Sequence, residues 1–167
     1  MLEFEGSRLI DIAIRRFAGQ VETILLSAPE DFGTGLSYIP DDADAPSGPV
    51  GAIFSIAARL RSMAPETVGF VTVPVDAPFA PDDLVSRLFD PDQCAVASGP
   101  ERLHPTFADW ICDTVDAVRR KHEVSAKAPS LHWLMRQCDA KTVHWADEHP
   151  FLNINTPDDL NKAQSLA

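Results

Sequence analysis

One stretch constrains the chain more than any other: Val68 to Phe79, VGFVTVPVDAPF. Val68, Phe70, Val71, Val73 and Val75 make an apolar, β-branched run that reads as a buried strand of a parallel sheet. The run stops at Asp76, and Pro78, which has no N–H to donate, ends the ladder. A carboxylate at the carboxyl end of a central strand lies where open α/β sheets bind ligands. The other reading is a plain strand whose Asp caps the helix starting near Pro81.

Around this stretch, helix and strand signals alternate. Leu9–Phe17 carries Ile10, Ala13, Ile14 and Phe17 on one helical face, with Arg15 and Arg16 at its end and Gly19 as its stop. Val21–Ser27 reads as a strand. Gly51–Met63 is a helix with the stripe Ile53, Ile56, Ala57, Leu60. Pro81–Leu88, Trp110–Lys121 and Leu131–Cys138 read as helices. Gln93–Ser98, Thr106–Phe107 and Lys141–Trp145 read as strands. Thr156, Pro157 and Asp159 mark the start of a last helix by a near capping box. The alternation predicts a three-layer α/β sandwich with a mostly parallel sheet. The 167 residues fit one domain, residues 1–167.

Composition narrows the function. A formal net charge of −11 argues against a nucleic-acid or anionic-membrane surface. No apolar run has the length to span a bilayer, and no signal-peptide pattern opens the chain. Cys94, Cys112 and Cys138 are far apart, form no metal spacing, and fit reduced thiols in a cytoplasmic protein.

The candidate site residues lie in three places. Asp76 ends the central strand. Ala28–Pro49 is polar and rich in Gly and Pro, and holds Asp41, Asp42 and Asp44, which could hold a cation or be solvated. Gly48 and Pro49 lead into Gly51–Met63, whose first N–H groups could meet an anion or simply start a helix. Asn153 and Asn155 alternate along an extended segment and so point the same way, for ligand contact or turn chemistry. His104 could contact a ligand or be structural.

The order GPVGAIFSIAARL, VGFVTVPVDAPF, HPTF and FLNINTPDDL resembles the molybdenum cofactor guanylyltransferases, the MobA-like proteins. The resemblance runs from about Leu2 to the carboxyl end. It implies a Rossmann-like sandwich of the nucleotide-diphospho-sugar transferase type. It assigns Mg²⁺ to Asp76, which is then the metal ligand and the catalytic carboxylate. It assigns nucleotide contacts to Asp41, Gly48 and Pro49, and acceptor contacts to Asn153 and Asn155. The substrates implied are a nucleoside triphosphate, GTP, and a molybdopterin-type acceptor, with pyrophosphate released.

The family opens with a strand and a glycine-rich loop of the type LAGGxSxRMGxxK, which cradles the triphosphate. Met1–Gly6 resembles the segment just after it, so the chain reads as N-terminally truncated, and Gly33-Thr34-Gly35 is a bare GxG with no helix behind it. Two functions follow: a guanylyltransferase of molybdopterin or a close relative using another nucleotide or acceptor, or a non-catalytic binding or partner protein that keeps the acceptor half. By the family's pattern the first strand lies between Val21–Ser27 and Val68–Val75. Without it, these two are expected to close up and pair directly, or another segment, an oligomer or a partner chain covers the open sheet. Direct closure would narrow the nucleotide cleft, and with the triphosphate-cradling loop also missing the chain is expected to bind GTP poorly or not at all.

Overall fold

The computed structural model describes residues 3–122 and 128–165. A short antiparallel hairpin comes first: β1 (Glu3–Phe4) and β2 (Ser7–Arg8) pair around Glu5 and Gly6. Both turn residues have positive φ, 49° and 73°, the twist that a two-residue hairpin requires. Helix α1 (Leu9–Phe17) buries Leu9, Ile10, Ala13 and Phe17, within the bounds that its apolar spacing predicts. Next come β3 (Leu26–Ser27), β4 (Tyr38–Ile39), α2 (Pro49–Met63), β5 (Gly69–Thr72) and α3 (Leu84–Leu88). The second half holds β6 (Ala95–Ser98), β7 (Leu103–Ile111), α4 (Cys112–Lys121), α5 (Leu131–Gln137), β8 (Lys141–His144), a 3-10 turn (His149–Phe151) and α6 (Pro157–Gln164).

The main sheet has the order β5-β7-β6-β8. β7 runs antiparallel to both β5 and β6, and β6 pairs in parallel with β8, so β5, β6 and β8 point the same way. Strand alternation sends neighbouring side chains to opposite faces. Val96, Ala108 and Trp110 pack on one face with Val50, Ile53, Phe54 and Ala57 of α2, Val115 of α4 and Leu134 of α5. Ala95, Ala97 and Phe107 pack on the other with Phe17 of α1, Leu84 and Leu88 of α3, and Phe151. The fully buried Trp110 keeps its indole N–H satisfied by donating to Thr72 Oγ1 at 3.0 Å. The three-layer α/β sandwich is as expected, with a sheet that is mixed and only partly parallel. No helix among the described residues is long and apolar enough to cross a membrane.

Four expectations are corrected. The strand read at Val21–Ser27 shrinks to Leu26–Ser27, whose partner is Tyr38–Ile39 from a segment read as loop. The strand read at Thr106–Phe107 extends over Leu103–Ile111, and the helix read from Trp110 starts at Cys112. The strand read at Val68–Val75 is Gly69–Thr72, and it is an edge strand. Lastly, β3 and β5 do not close up on each other. The physical reason is exposure: Val68 and Val75 are 46% and 49% exposed and the residues between are half-buried, so the free edge of β5 meets water. Backbone groups that water can reach do not need a strand partner.

Candidate active site

Asp76 follows β5 at the end of the sheet where β5, β6 and β8 finish. Its carbonyl accepts the N–H of Ile154 at 2.8 Å. That bond ties the strand end to the segment before α6, the helix opened by the Thr156–Asp159 capping box. Ile154 is buried while Asn155 is exposed and Asn153 half-buried, so the two amides face away from the core, as their alternation predicts. Asp76 and the Asn153–Asn155 segment, 77 residues apart in the chain, are thus brought together.

The Asp76 carboxylate is unusual in its setting. Its Oδ1 is buried and has no hydrogen-bond donor. Burial pushes its pKa above the ordinary carboxylate range, with a backbone hydrogen bond pulling the other way. A buried acceptor without a donor is costly, and a bound cation would remove that cost. Among the described residues no three His, Cys, Asp or Glu side chains cluster to hold a metal. One carboxylate nevertheless fits Mg²⁺, which is usually held by one or two carboxylates and completed by water and substrate phosphates.

Asp41, Gly48 and Pro49 lie in the loop that leads into α2. Asp42 N–H donates to Ser55 Oγ at 2.9 Å, and Ser55 Oγ donates to the Gly51 carbonyl at 2.8 Å, so the loop is strapped to the first turns of the helix. A Cβ at Gly51 would stand 1.8 Å from the Pro46 carbonyl oxygen, so this close approach demands glycine. Gly48 precedes the helix with φ 89°, and Pro49 takes N1, as read from sequence. α2 ends at Met63, shortly before β5 begins, so the helix runs back against the strand. Its N terminus therefore lies toward the end of the sheet that carries Asp76. No hydrogen bond or ion pair among the described residues joins this loop to Asp76.

Sequence reasoning missed Glu148. Its Oε1 lies 2.7 Å from Nε2 of the buried His104 and 3.5 Å from Nε of Arg102. The signal was Gly99: a Cβ there would fall 1.9 Å from Glu148 Oε2, so the turn read at Gly99-Pro100 also makes room for a carboxylate.

Residues 1–137 match the MobA-like NTP transferase domain. This chain belongs to that family. Among curated relatives, the molybdenum cofactor guanylyltransferase of Mesorhizobium japonicum is 33% identical over 99% of this chain and 86% of its own length. That of Rhodopseudomonas palustris is 30% identical over 99% of this chain and 83% of its own. Two solved structures share the fold. Molybdopterin-guanine dinucleotide biosynthesis protein A from Archaeoglobus fulgidus has a TM-score of 0.71 at 17% identity, over 99% of this chain and 88% of that one. A 4-diphosphocytidyl-2C-methyl-D-erythritol synthase from Anaerococcus prevotii has a TM-score of 0.73 at 14% identity, over 99% and 91%. The chain is a MobA-like nucleotidyltransferase by family and fold.

Proposed function

We propose that this MobA-like chain serves the transfer of a guanylyl group from GTP to a molybdopterin-type acceptor, with Mg²⁺ held by Asp76. The observation that carries the reading is Asp76 itself: a buried carboxylate oxygen with no donor, at a strand end tied to the Asn153–Asn155 segment. The relatives' names supply the substrates. A phosphate oxygen of the acceptor attacks the α-phosphorus of GTP. The new P–O bond forms as the bond to the β-phosphate breaks, and pyrophosphate leaves. Such a transfer needs positioning and charge neutralisation rather than a protein nucleophile. When bound, Mg²⁺ would neutralise charge on the phosphate oxygens. Asp76 holds its charge toward that position. Gly48 and Pro49 present the start of α2 to the nucleotide, Asp41 contacts the base, and Asn153 and Asn155 donate to the acceptor.

The test is calorimetric titration of GTP into wild type and Asp76→Asn, with and without Mg²⁺. Wild type is expected to bind GTP weakly and only with Mg²⁺, and Asp76→Asn to lose at least tenfold of that affinity at an unchanged unfolding midpoint. Equal Mg²⁺-dependent affinity in the two proteins would remove Asp76 from the site. No binding of GTP by wild type would overturn the reading of the whole chain.

A further inference from the structure

Two of the three cysteines meet inside the protein. Cys94 stands just before β6 and Cys138 just after α5, 44 positions later. Two hydrogen bonds stitch these places together. The Lys141 N–H donates to the Cys94 carbonyl at 2.9 Å, at the head of the parallel pairing of Ala95 with Lys141. The Gln93 side-chain amide donates to the Asp139 carbonyl, also at 2.9 Å. Asp139 takes a positive φ of 48°, so the chain turns sharply between α5 and β8 and leaves Cys138 beside Cys94. Both thiols are free, 1% and 5% exposed, and share one core cluster with Leu134 and Met135.

The two sulfurs are not equivalent. Cys94 Sγ accepts the Ile111 N–H at 3.2 Å. The Cys138 S–H also donates to it. That bond holds the Cys94 thiol below its ordinary range, with the Ile111 N–H helping and burial and the Asp109 charge opposing. The same bond, together with burial, pushes the Cys138 thiol up. Two small apolar side chains would fill this space equally well, but neither would accept the buried Ile111 N–H. An acceptor sulfur with a donor thiol against it is the arrangement in which one cysteine attacks an oxidant and its neighbour resolves the product.

We propose that Cys94 and Cys138 form a peroxide-responsive dithiol, with Cys94 as the attacking sulfur and Cys138 as the resolving one. The site stands apart from the nucleotidyl-transfer reading and uses none of its residues. The oxidant is a hydroperoxide, and the simplest, hydrogen peroxide, is close to water in size. The Cys94 sulfur gives up its proton and attacks one peroxide oxygen. The S–O bond forms as the O–O bond breaks, and the leaving hydroxide takes that proton as water. The Cys138 sulfur then attacks the Cys94 sulfur. The S–S bond forms as the S–O bond breaks, and the second hydroxide leaves as water with the Cys138 proton. The two thiols lose two electrons and the peroxide becomes two waters. The product fastens the end of α5 to the start of β6 and closes a loop that holds β6, β7, α4 and α5. Cys112, at the start of α4, lies outside this pair, and burial pushes its thiol up.

The experiment treats the folded whole chain with hydrogen peroxide, alkylates the remaining thiols after unfolding, and maps the peptides by mass spectrometry. A linked pair of peptides carrying Cys94 and Cys138 is expected, with Cys112 alkylated. The unfolding midpoint of the oxidised chain is expected to rise by at least about 5 °C, because the bond restricts the unfolded chain. Dithiothreitol is expected to return it to the starting value. Cys138→Ser is expected to stop at a Cys94 sulfenic acid, which dimedone traps, and Cys112→Ser to link as wild type does. Three cysteines alkylated or overoxidised without a link, or a link through Cys112, would overturn the proposal. A link with no rise in the midpoint would overturn it as well, since the bond would then have formed in an unfolded fraction. A sulfenic acid on Cys138 in Cys94→Ser would overturn the assignment of Cys94 as the attacking sulfur.

Discussion

Asp109 sits in the middle of β7, fully buried. Its Oδ2 accepts the Asp90 N–H at 3.0 Å, and its Oδ1 has no partner. Burial, the largest cause, pushes its pKa up to about 6. In the unfolded chain an Asp titrates near 4. The folded state therefore holds the proton more tightly. The stability this proton confers is fully present below about pH 4 and is lost as pH rises through about 6. A shift of about two units corresponds to about 3 kcal/mol. Asp11, Asp90, Asp116 and Asp159 are shifted the other way, chiefly by hydrogen bonds and ion pairs. Their stabilisation is present above about pH 4 and lost below it, so the Asp109 contribution must be isolated by difference. The unfolding free energy of wild type relative to Asp109→Asn is expected to fall by about 2–3 kcal/mol from pH 4 to pH 7. A difference that stays flat over that interval would show that Asp109 does not titrate there. The same residue interrupts the apolar pattern of β7. In FADWI a charged side chain stands between apolar ones, while the sequence reads as a strand ending at Phe107 and a helix from Trp110. A fully buried Asp is rare, so patterning places such a residue at the surface.

At the scale of elements, helices were legible because their signals are local. The apolar faces of α1 and α2, the Pro at N1 of α2 and the capping box of α6 all appear as read. Strands were less legible because partners decide them. β3 exists only where Tyr38–Ile39 comes alongside, and nothing within Val21–Leu25 announces that these residues stay unpaired. Asp76 and the two asparagines stand out in the sequence by position and alternation, and the Ile154–Asp76 bond brings them together, while Glu148 and Arg102 meet only through folding around Gly99. The capping box offers a quantitative check. Thr156 Oγ1 accepts the Asp159 N–H at 3.1 Å, and Asp159 Oδ2 accepts the Thr156 N–H at 2.9 Å. Removing the cap by Thr156→Ala costs about 1 kcal/mol. For a chain of this size that lowers the unfolding midpoint by about 2–4 °C. The Asp159 carboxylate also accepts the Asn155 N–H at 3.1 Å, so the same turn holds that residue. A midpoint unchanged within error would mean that α6 frays without consequence.

For the whole molecule, the instructive element is β5. Its sequence reads as central because both of its faces are apolar, and both are covered: Phe70 packs against one core cluster, Val71 and Val73 against the other. Covered faces say nothing about edges, and the edge away from β7 has no strand partner among the described residues. Cys112 N–H donates to the Val68 carbonyl at 2.9 Å. In this antiparallel register the bonded pairs step by two, so Val68, Phe70 and Thr72 spend their backbone groups on β7. The N–H and C=O of Gly69 and Val71 therefore point outward. An exposed, regular edge flanked by the half-exposed Val68 and Val75 is a template for another strand. The net charge of −11 on each copy opposes self-pairing, and salt screens that repulsion. The 167-residue chain is thus expected to self-associate more strongly at about 0.5 M than at about 0.05 M salt, by sedimentation velocity. Val68→Lys places an ammonium at the open edge, the device by which natural edge strands resist pairing. This variant is expected to remain monomeric at both salt levels while keeping its unfolding midpoint. If wild type is also monomeric throughout, the edge is satisfied by water alone. If Val68→Lys associates as wild type does, the contact lies elsewhere on the surface and β5 is not its template.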